Sequence, residues 1–154
     1  SGTVKSNIVQ GDLDAVEDDI TRAAKIAQAK EFIDRLPENY ESIVYQRGNN
    51  LSGGQKQRIS IARGLVGNPR ILILDDSTSA LDAKSESLVK KALNRELKNT
   101  TTIMVAQKIS SIIDADKIVL IDQGQILAVG SHEELMNNSV HYKNIYNTQL
   151  GEEA

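Results

Sequence analysis

Apolar residues recur at helical spacing along the first third of the chain. They are Val16, Ile20, Ala23, Ala24 and Ala27, followed by Phe32, Ile33 and Leu36. Positions three and four residues apart lie on one face of an α-helix, so the pattern predicts two helices between Leu13 and about Tyr40, with Pro37 ending the second. Acidic residues at 17–19 open the first helix, where the helix dipole favours negative charge.

A third helix is predicted to begin at Ser52. Gln55 lies three residues further on, and the two match a capping box, in which each side chain bonds the backbone N–H of the other residue. Apolar residues continue at helical spacing as far as Val66, and Gly67-Asn68-Pro69 stops the helix. The preceding Arg47–Asn50 segment has the composition of a loop.

The rest of the chain alternates short apolar runs with amphipathic segments. The predicted strands are Ile71–Leu74, Thr102–Ala106, Lys117–Asp122 and Gln125–Val129, and the predicted helices are Glu86–Leu97, Ile109–Ile113, Glu133–Met136 and His141–Gln149. The last two strands are joined around Gln123-Gly124 and predict a hairpin. Alternating strands and helices, with a continuously apolar strand at Ile71–Leu74, predict an α/β fold with a largely parallel sheet in which that strand is buried.

Composition narrows the picture only slightly. The 154 residues are 40% hydrophobic and 25% charged, which suits one globular domain. A net charge of −3 gives no reason to expect a surface for generic nucleic-acid binding. The sequence has no cysteine, which excludes disulfides and thiolate metal sites, and its apolar runs are only as long as a strand. It begins at Ser1 without a methionine, and we expect it to be a piece of something larger.

Two segments carry candidate chemistry. Leu51-Ser52-Gly53-Gly54-Gln55 places a serine and two glycines at a helix start, where three consecutive backbone N–H groups and the positive end of the helix dipole attract phosphate. The strand that follows ends in Asp75-Asp76, and an apolar strand commonly delivers a carboxylate to a metal or an attacking water at the edge of a parallel sheet. Together the segments indicate nucleoside triphosphate chemistry.

Several segments follow one another in a recognisable order. They are Leu51–Arg58, Ile71–Asp75, Ser79–Asp82, Val105–Ile112 and Ala115–Ile126. In order and spacing they resemble the signature motif, Walker B strand, D-loop, switch segment and C-terminal hairpin of the ATP-binding cassette (ABC) family. Ser1–Ile8 is similar to the stretch that follows the Q-loop in exporter-type cassettes. The resemblance therefore spans nearly the whole chain.

This resemblance implies an α/β, P-loop NTPase-like (RecA-like) fold. We expect a helical subdomain with the signature motif at 1–67, and the C-terminal part of the α/β ATPase core, with a partial parallel sheet, at 68–154. The sequence contains no Gly-x-x-x-x-Gly-Lys-[Ser/Thr] loop, the Walker A loop that normally cradles nucleotide phosphates. The resemblance places this loop and the Q-loop glutamine upstream of Ser1, so we expect the 154 residues alone not to hydrolyse ATP.

The resemblance also assigns roles to individual residues. The signature residues are Leu51, Ser52, Gly53, Gly54 and Gln55, and the D-loop residues are Ser79, Ala80, Leu81 and Asp82. In cassette dimers a signature contacts the γ-phosphate of ATP held by the opposite subunit, and Asp75 is expected near Mg²⁺. Plainer alternatives exist, because Ser52 and Asp82 also suit helix N-caps, and Asp75 suits an acid that caps a turn. A cap and a functional role are compatible at one residue.

Two positions depart from the family pattern where the resemblance places catalysis. Asp76 stands where the family usually has a glutamate that orients or deprotonates the attacking water, and its side chain is one methylene shorter. Gln107 occupies the switch position, usually histidine, and cannot carry a proton at neutral pH. Gln46 replaces a glutamate that is usual in exporter-type chains. These changes predict a degenerate site, and the alternative is neutral drift in a working one.

The expected function is that of the ATP-binding and hydrolysing portion of an ABC exporter. ATP and Mg²⁺ are the implied cofactors. The implied partners are a second nucleotide-binding domain, expected on a different subunit, and a transmembrane domain, with the chain at the cytoplasmic face of the cell membrane and no nucleic acid bound. The alternatives are a soluble cassette ATPase of DNA repair, chromosome organisation or translation, and a regulatory module that binds nucleotide without turnover. The transported substrate is not encoded here.

A further expectation concerns the sheet. In the family, the strand leading into the Walker A loop lies between the switch strand, here Thr102–Ala106, and the strand Lys117–Asp122. Without that strand, both neighbours would expose unpaired backbone groups. We therefore expect Ile71–Leu74 to pair in parallel with Thr102–Ala106, and the remaining gap to be closed by rearrangement, by a second copy of the chain or by an associated N-terminal fragment.

Overall fold

Helices make up most of the first part of the structure, a computed structural model that describes residues 1–151. The helices are α1 (Val4–Ile8), α2 (Glu17–Ile26), α3 (Lys30–Ile33) and α4 (Gly53–Leu65), with 3-10 turns at Val9–Gly11, Asn39–Glu41 and Gln46–Gly48. Strands β1 (Gly2–Thr3) and β2 (Ile43–Val44) pair antiparallel. The two helices predicted before Tyr40 are present, but α3 ends ahead of Pro37 because the chain turns there, with Leu36 N–H donating to the Ile33 carbonyl.

The apolar faces of these helices meet in one core. Ala23, Ala24 and Ala27 of the α2 region are fully buried, and α2 packs on α4 through this run of small side chains. Leu65, at the end of α4, is also fully buried, and burying a leucine contributes roughly 1.5–3 kcal/mol. Arg22 closes the C-terminal end of α4 by donating to the carbonyls of Leu65 and Val66, 3.3 Å each, so those carbonyls do not remain unpaired.

A parallel strand pair follows α4. β3 (Ile71–Asp75) and β4 (Thr101–Val105) are connected through α5 (Ala83–Glu96), with Leu74 opposite Met104. The predicted parallel pairing is thus confirmed. Burial alternates along β3: Leu72 and Leu74 are buried, whereas Ile71 and Ile73 are 61% and 64% exposed. The prediction that this strand is buried is confirmed for Leu72 and Leu74 and wrong for Ile71 and Ile73, because only one face of the strand packs against the core.

The chain separates into two compact units, the first ending at Val105 and the second beginning at Ala106. The elements of the second unit are α6 (Ile109–Ile112), β5 (Ile118–Asp122), β6 (Gln125–Gly130), α7 (His132–Asn138) and α8 (Val140–Leu150). The predicted hairpin of β5 and β6 is confirmed. Its two-residue turn places Gln123 and Gly124 at positive φ, 47° and 76°, as a hairpin of this length favours. This unit has its own core, formed by Ile109, Ile118, Leu135 and Tyr142.

The hydrogen-bonded neighbours of β4 and β5 test the expectation about the sheet. Within residues 1–151, the hydrogen-bonded neighbour of β4 is β3 and that of β5 is β6, with Val119 opposite Val129. The predicted rearrangement within the chain is therefore absent from its described part. Closure by a second copy or by an N-terminal fragment stays a prediction. Across the same residues, the structure contains no helix that is both long and apolar enough to cross a membrane.

Candidate functional site

The start of α4 is organised by the predicted capping box, which the structure confirms. Ser52 Oγ accepts from the backbone N–H of Gln55 at 3.2 Å, and Gln55 Oε1 accepts from the backbone N–H of Ser52 at 2.9 Å. The first bond of the helix ladder runs from Lys56 N–H to the Ser52 carbonyl, 3.0 Å. Leu51 is buried and anchors the segment to the core. The sequence order serine, two glycines, glutamine thus fixes where the helix begins.

The capping box decides how many N–H groups are left for an anion. The first four N–H groups of a helix lack a partner in the helix ladder, and here those of Ser52 and Gln55 are bound within the box. Those of Gly53 and Gly54 remain, two groups rather than the three predicted. Ser52 Oγ can still donate its own proton, because it serves as an acceptor within the box. Two N–H groups, a hydroxyl and the helix dipole suit a phosphate oxygen.

The two glycines have a second reason to be glycine. A Cβ atom on Gly54 would lie 3.2 Å from the carbonyl oxygen of Ala80, and one on Gly53 would lie 3.3 Å from the Ala80 Cβ. Both distances are tighter than ordinary van der Waals contact. The first turn of α4 therefore packs directly on the D-loop, and a side chain at Gly54 would push the D-loop backbone away.

The D-loop is held to the end of β3 by a hydrogen bond between Ser79 and Asp76, the residue that follows the strand. Asp76 N–H donates to the Val105 carbonyl at 3.0 Å, and the Asp76 carbonyl accepts from Ser79 Oγ at 3.0 Å. The Asp76 φ is 46°, in the left-handed region that Asp and Asn tolerate better than most residues. The D-loop also bonds to the side chain of Gln57 on α4. The sequence pattern did not single out Gln57.

Asp82 ends the D-loop and caps α5, as predicted. Its two carboxylate oxygens accept from the hydroxyl of Ser85, 2.7 Å, and from the backbone N–H of Ser85, 2.9 Å. The hydroxyl bond first, and the backbone bond second, hold the pKa of Asp82 below its ordinary value. The cap is therefore charged at neutral pH, at the end of the helix where the dipole favours a negative charge.

Asp75 is the candidate metal ligand. It is the last residue of β3 and is exposed. Residues 1–151 contain no cluster of three or more His, Asp or Glu side chains that could hold a metal by themselves. One carboxylate still fits Mg²⁺, since this ion keeps several waters and takes other ligands from nucleotide phosphates. The residues present are thus compatible with Mg²⁺ that arrives with a nucleotide.

Gln107, which the sequence predicts at the switch position, belongs to the second unit. Its residue is exposed, and its carbonyl accepts from Gln149 Nε2 of α8 at 2.9 Å. Gln149 Oε1 accepts in turn from the backbone N–H of Ile109, 2.8 Å. One side-chain amide thus fixes the backbone of the switch segment on both sides of Lys108. No pattern in the sequence indicated Gln149.

The structure therefore brings most of the predicted site residues together within the first unit. The signature segment, the D-loop and Asp76 are joined by the contacts given above, and Asp75 directly precedes Asp76. Gln107 lies in the other unit. A helix start that suits phosphate, beside the carboxylates that end a parallel strand, is typical of the P-loop NTPase fold class.

Comparison with known proteins specifies the family. A family model described as ABC transporter matches residues 2–79, and the chain belongs to the ABC transporter family. It is 48% identical over 154 residues to an uncharacterised ABC transporter ATP-binding protein, YfiB, of Bacillus subtilis. It is also 48% identical over 149 residues to a candidate multidrug export ATP-binding/permease protein of Staphylococcus aureus. These matches cover 100% and 97% of this chain, but 26% of each relative.

A solved structure supports the fold. A bacterial Atm1-family ABC exporter, with ATP bound, matches 99% of this chain with a TM-score of 0.93 and 39% identity, and the match covers 27% of that exporter chain. The predicted fold class, an α/β P-loop NTPase fold of the ABC type, is thus confirmed. The chain spans about a quarter of the length of the relatives it matches.

Proposed function

We propose that the chain is part of the nucleotide-binding domain of an ABC exporter and that its signature completes the active ATP site of a partner subunit. The resemblance to a candidate multidrug export protein and to an Atm1-family exporter supports the exporter class. In this proposal the partners are a second, different nucleotide-binding domain and a transmembrane domain, and the chain works at the cytoplasmic face of the membrane. The boundary near residue 67 is proposed to separate the helical subdomain from the ATPase core.

The proposal rests on a contrast between the signature, which matches the family pattern, and the catalytic positions, which depart from it. The start of α4 retains Ser52 and the N–H groups of Gly53 and Gly54 in an arrangement that suits a phosphate. The two positions for catalysis in the chain's own site depart from the family pattern, with Asp76 and Gln107. An intact signature with altered catalytic residues is expected in a chain that completes an active ATP site on its partner and has an inefficient ATP site of its own.

Each residue has a defined task in this scheme. Ser52, Gly53 and Gly54 would donate to the γ-phosphate of ATP held by the partner, and Asp75 would hold Mg²⁺, directly or through water. Bound Mg²⁺ would neutralise charge on the phosphates. The Asp76 carboxylate is one methylene shorter than glutamate and reaches less far toward an attacking water, so proton removal there would be inefficient. Gln107 can donate and accept hydrogen bonds but has no titratable proton to supply.

The 154 residues by themselves are proposed to be inactive. They contain no Gly-x-x-x-x-Gly-Lys-[Ser/Thr] loop. The ATP site therefore needs residues from outside this stretch, and turnover is expected only in the full-length complex.

Two substitutions in the full-length complex test the proposal. Ser52→Arg should lower ATP turnover at least about tenfold, because bulk and a misplaced charge would block the partner's phosphate. Asp76→Asn should change turnover less than about twofold, since the site it serves already contributes little. Asparagine is preferred to alanine because it also tolerates the left-handed backbone at this position.

Ser60→Arg is the matched control. Ser60 is exposed on the same helix, away from its first turn, so the same added side chain should leave turnover unchanged. The opposite ranking, with Asp76→Asn abolishing turnover and Ser52→Arg tolerated, would show that the competent site is the one built on Asp76. If neither Ser52→Arg nor Asp76→Asn lowered ATP turnover, the result would favour a regulatory module that binds nucleotide without turnover.

A further inference from the structure

The side chain of Gln57 links the signature helix to the D-loop. Its Oε1 accepts from the backbone N–H of Ala80 at 2.8 Å. Its Nε2 donates to Ser79 Oγ at 3.0 Å and to the Asp76 carbonyl at 3.3 Å. One half-buried amide therefore uses both its donor and its acceptor on a single neighbouring segment. An amide supplies both functions at one end of the side chain, which neither an aliphatic nor a singly charged side chain does.

The position of Gln57 on α4 explains why it reaches this segment. Gln57 follows Gly53 by one helical turn, so the two share a face of the helix. That face meets the D-loop, where a Cβ on Gly53 or Gly54 would crowd Ala80. Close packing at the glycines and hydrogen bonds at Gln57 are separate observations, and both join the same helix face to the same loop.

The backbone of Asp76, which Gln57 contacts, is also held by other hydrogen bonds. The Asp76 carbonyl accepts from Gln57 and from Ser79, and the Asp76 N–H donates to Val105 of β4. The Asp76 backbone is therefore tied to β4 on one side and to α4 on the other. Any displacement of this residue would be passed to α4 through Gln57.

We propose that Gln57 is a positioning residue that couples the backbone of Asp76 and the D-loop to the signature end of α4. The inference rests on the proposed function, in which the chain's own nucleotide site lies by Asp76 and its signature serves the partner. Gln57 then connects two different ATP sites through one chain. Its role in this proposal is to fix where Ser52, Gly53 and Gly54 stand relative to the D-loop.

Gln57→Leu in the full-length complex is the first test. Leucine has a similar size but forms no hydrogen bond, so the Ala80 N–H loses its acceptor. We expect kcat for ATP to fall about tenfold and KM to change less than about twofold, because the signature would be misplaced while most nucleotide contacts remain. Gln57→Glu keeps the acceptor for Ala80 but loses the donor, and it should give an intermediate kcat. Gln10→Leu makes the same chemical change at an exposed residue and should have no effect.

A double-mutant cycle separates positioning from general destabilisation. If Gln57 acts through the D-loop hydroxyl, Gln57→Leu and Ser79→Ala together should cost little more than Gln57→Leu alone. Effects on kcat that multiply independently would overturn the link through Ser79. Unchanged kcat per correctly folded complex in Gln57→Leu would overturn the proposal. Should Gln57→Leu fail to fold, the cycle is run with Gln57→Glu.

A distance measurement tests the link without relying on turnover. The chain has no cysteine, so Ser60→Cys and Lys84→Cys, both at exposed residues, can carry a pair of spin labels after any cysteines elsewhere in the full-length protein are replaced. Gln57→Leu should broaden the distance distribution, and Gln10→Leu should not. An unchanged distribution in Gln57→Leu would contradict the proposal. If Ser52→Arg left turnover intact, the proposed function would fail, whereas the distance result would still decide the structural link.

Discussion

At the scale of single residues, Asp76 shows how backbone and chemistry constrain each other. Its φ of 46° lies in a region that costs an ordinary L-residue about 1–2 kcal/mol, and aspartate is among the residues that adopt it most readily. In the proposed function, the glutamate usual in the family would reach further toward an attacking water than Asp76 does. The aspartate suits the left-handed turn, and its shorter reach is part of that proposal.

Restoring both family residues should raise hydrolysis at the chain's own site. In a complex that carries Ser52→Arg, so that the partner's site is blocked, Asp76→Glu with Gln107→His should increase residual ATP turnover several-fold, on the order of 1 kcal/mol of barrier. The added methylene extends the carboxylate toward water, and histidine supplies a titratable group. Residual phosphate release is measured with and without the pair. No increase would show that other positions limit this site.

Short-range residue roles could be predicted from the sequence, and long-range ones could not. Ser52 and Gln55 cap α4 through a contact three residues apart, which a local pattern describes. Gln57 reaches partners 19 to 23 residues away, and Gln149 reaches partners 40 and 42 residues away. Such contacts depend on how the elements fold together, so only the structure identified them.

At the scale of elements, pairing was easier to predict than burial. The parallel β3–β4 pairing was predicted from the sheet of the family that the sequence resembles, and the β5–β6 hairpin from its turn residues. Continuous hydrophobicity along β3 predicted a buried strand, yet Ile71 and Ile73 are exposed. The apolar sequence of a strand indicates which of its faces can pack against other elements. Whether a face is buried also depends on which elements are there to pack against it.

Helix α5 provides a pH-dependent test at this scale. Because hydrogen bonds from Ser85 lower the pKa of Asp82 in the folded state, the cap stabilises α5 above the ordinary aspartate pKa and is lost as the pH falls through the lowered value. Asp82→Asn should keep the cap at neutral pH and lack this acid-dependent component, and Asp82→Ala should lose the cap at every pH. Amide-exchange protection of residues 83–96, corrected for intrinsic rates, measures the stability of α5 in each variant as a function of pH. Equal acid sensitivity in Asp82→Asn would contradict it.

At the scale of the whole molecule, both strand pairs carry exposed apolar side chains. Ile73 is 64% exposed in the first unit, and Ile126 is 66% exposed in the second. Large apolar patches on a surface usually mark contact with other parts of a protein or with a partner. The chain also spans about a quarter of the length of the relatives it matches.

Trapping of nucleotide in the full-length complex tests the division of labour between the two ATP sites most directly. Orthovanadate occupies the place of the released phosphate and retains ADP only where hydrolysis has occurred. A photoreactive, radiolabelled ATP analogue would then mark the subunit whose phosphate-binding loop holds the trapped nucleotide. We predict the label on the partner subunit, and its loss when this chain carries Ser52→Arg. Label found mainly on the subunit that contains Asp76 and Gln107 would contradict the account.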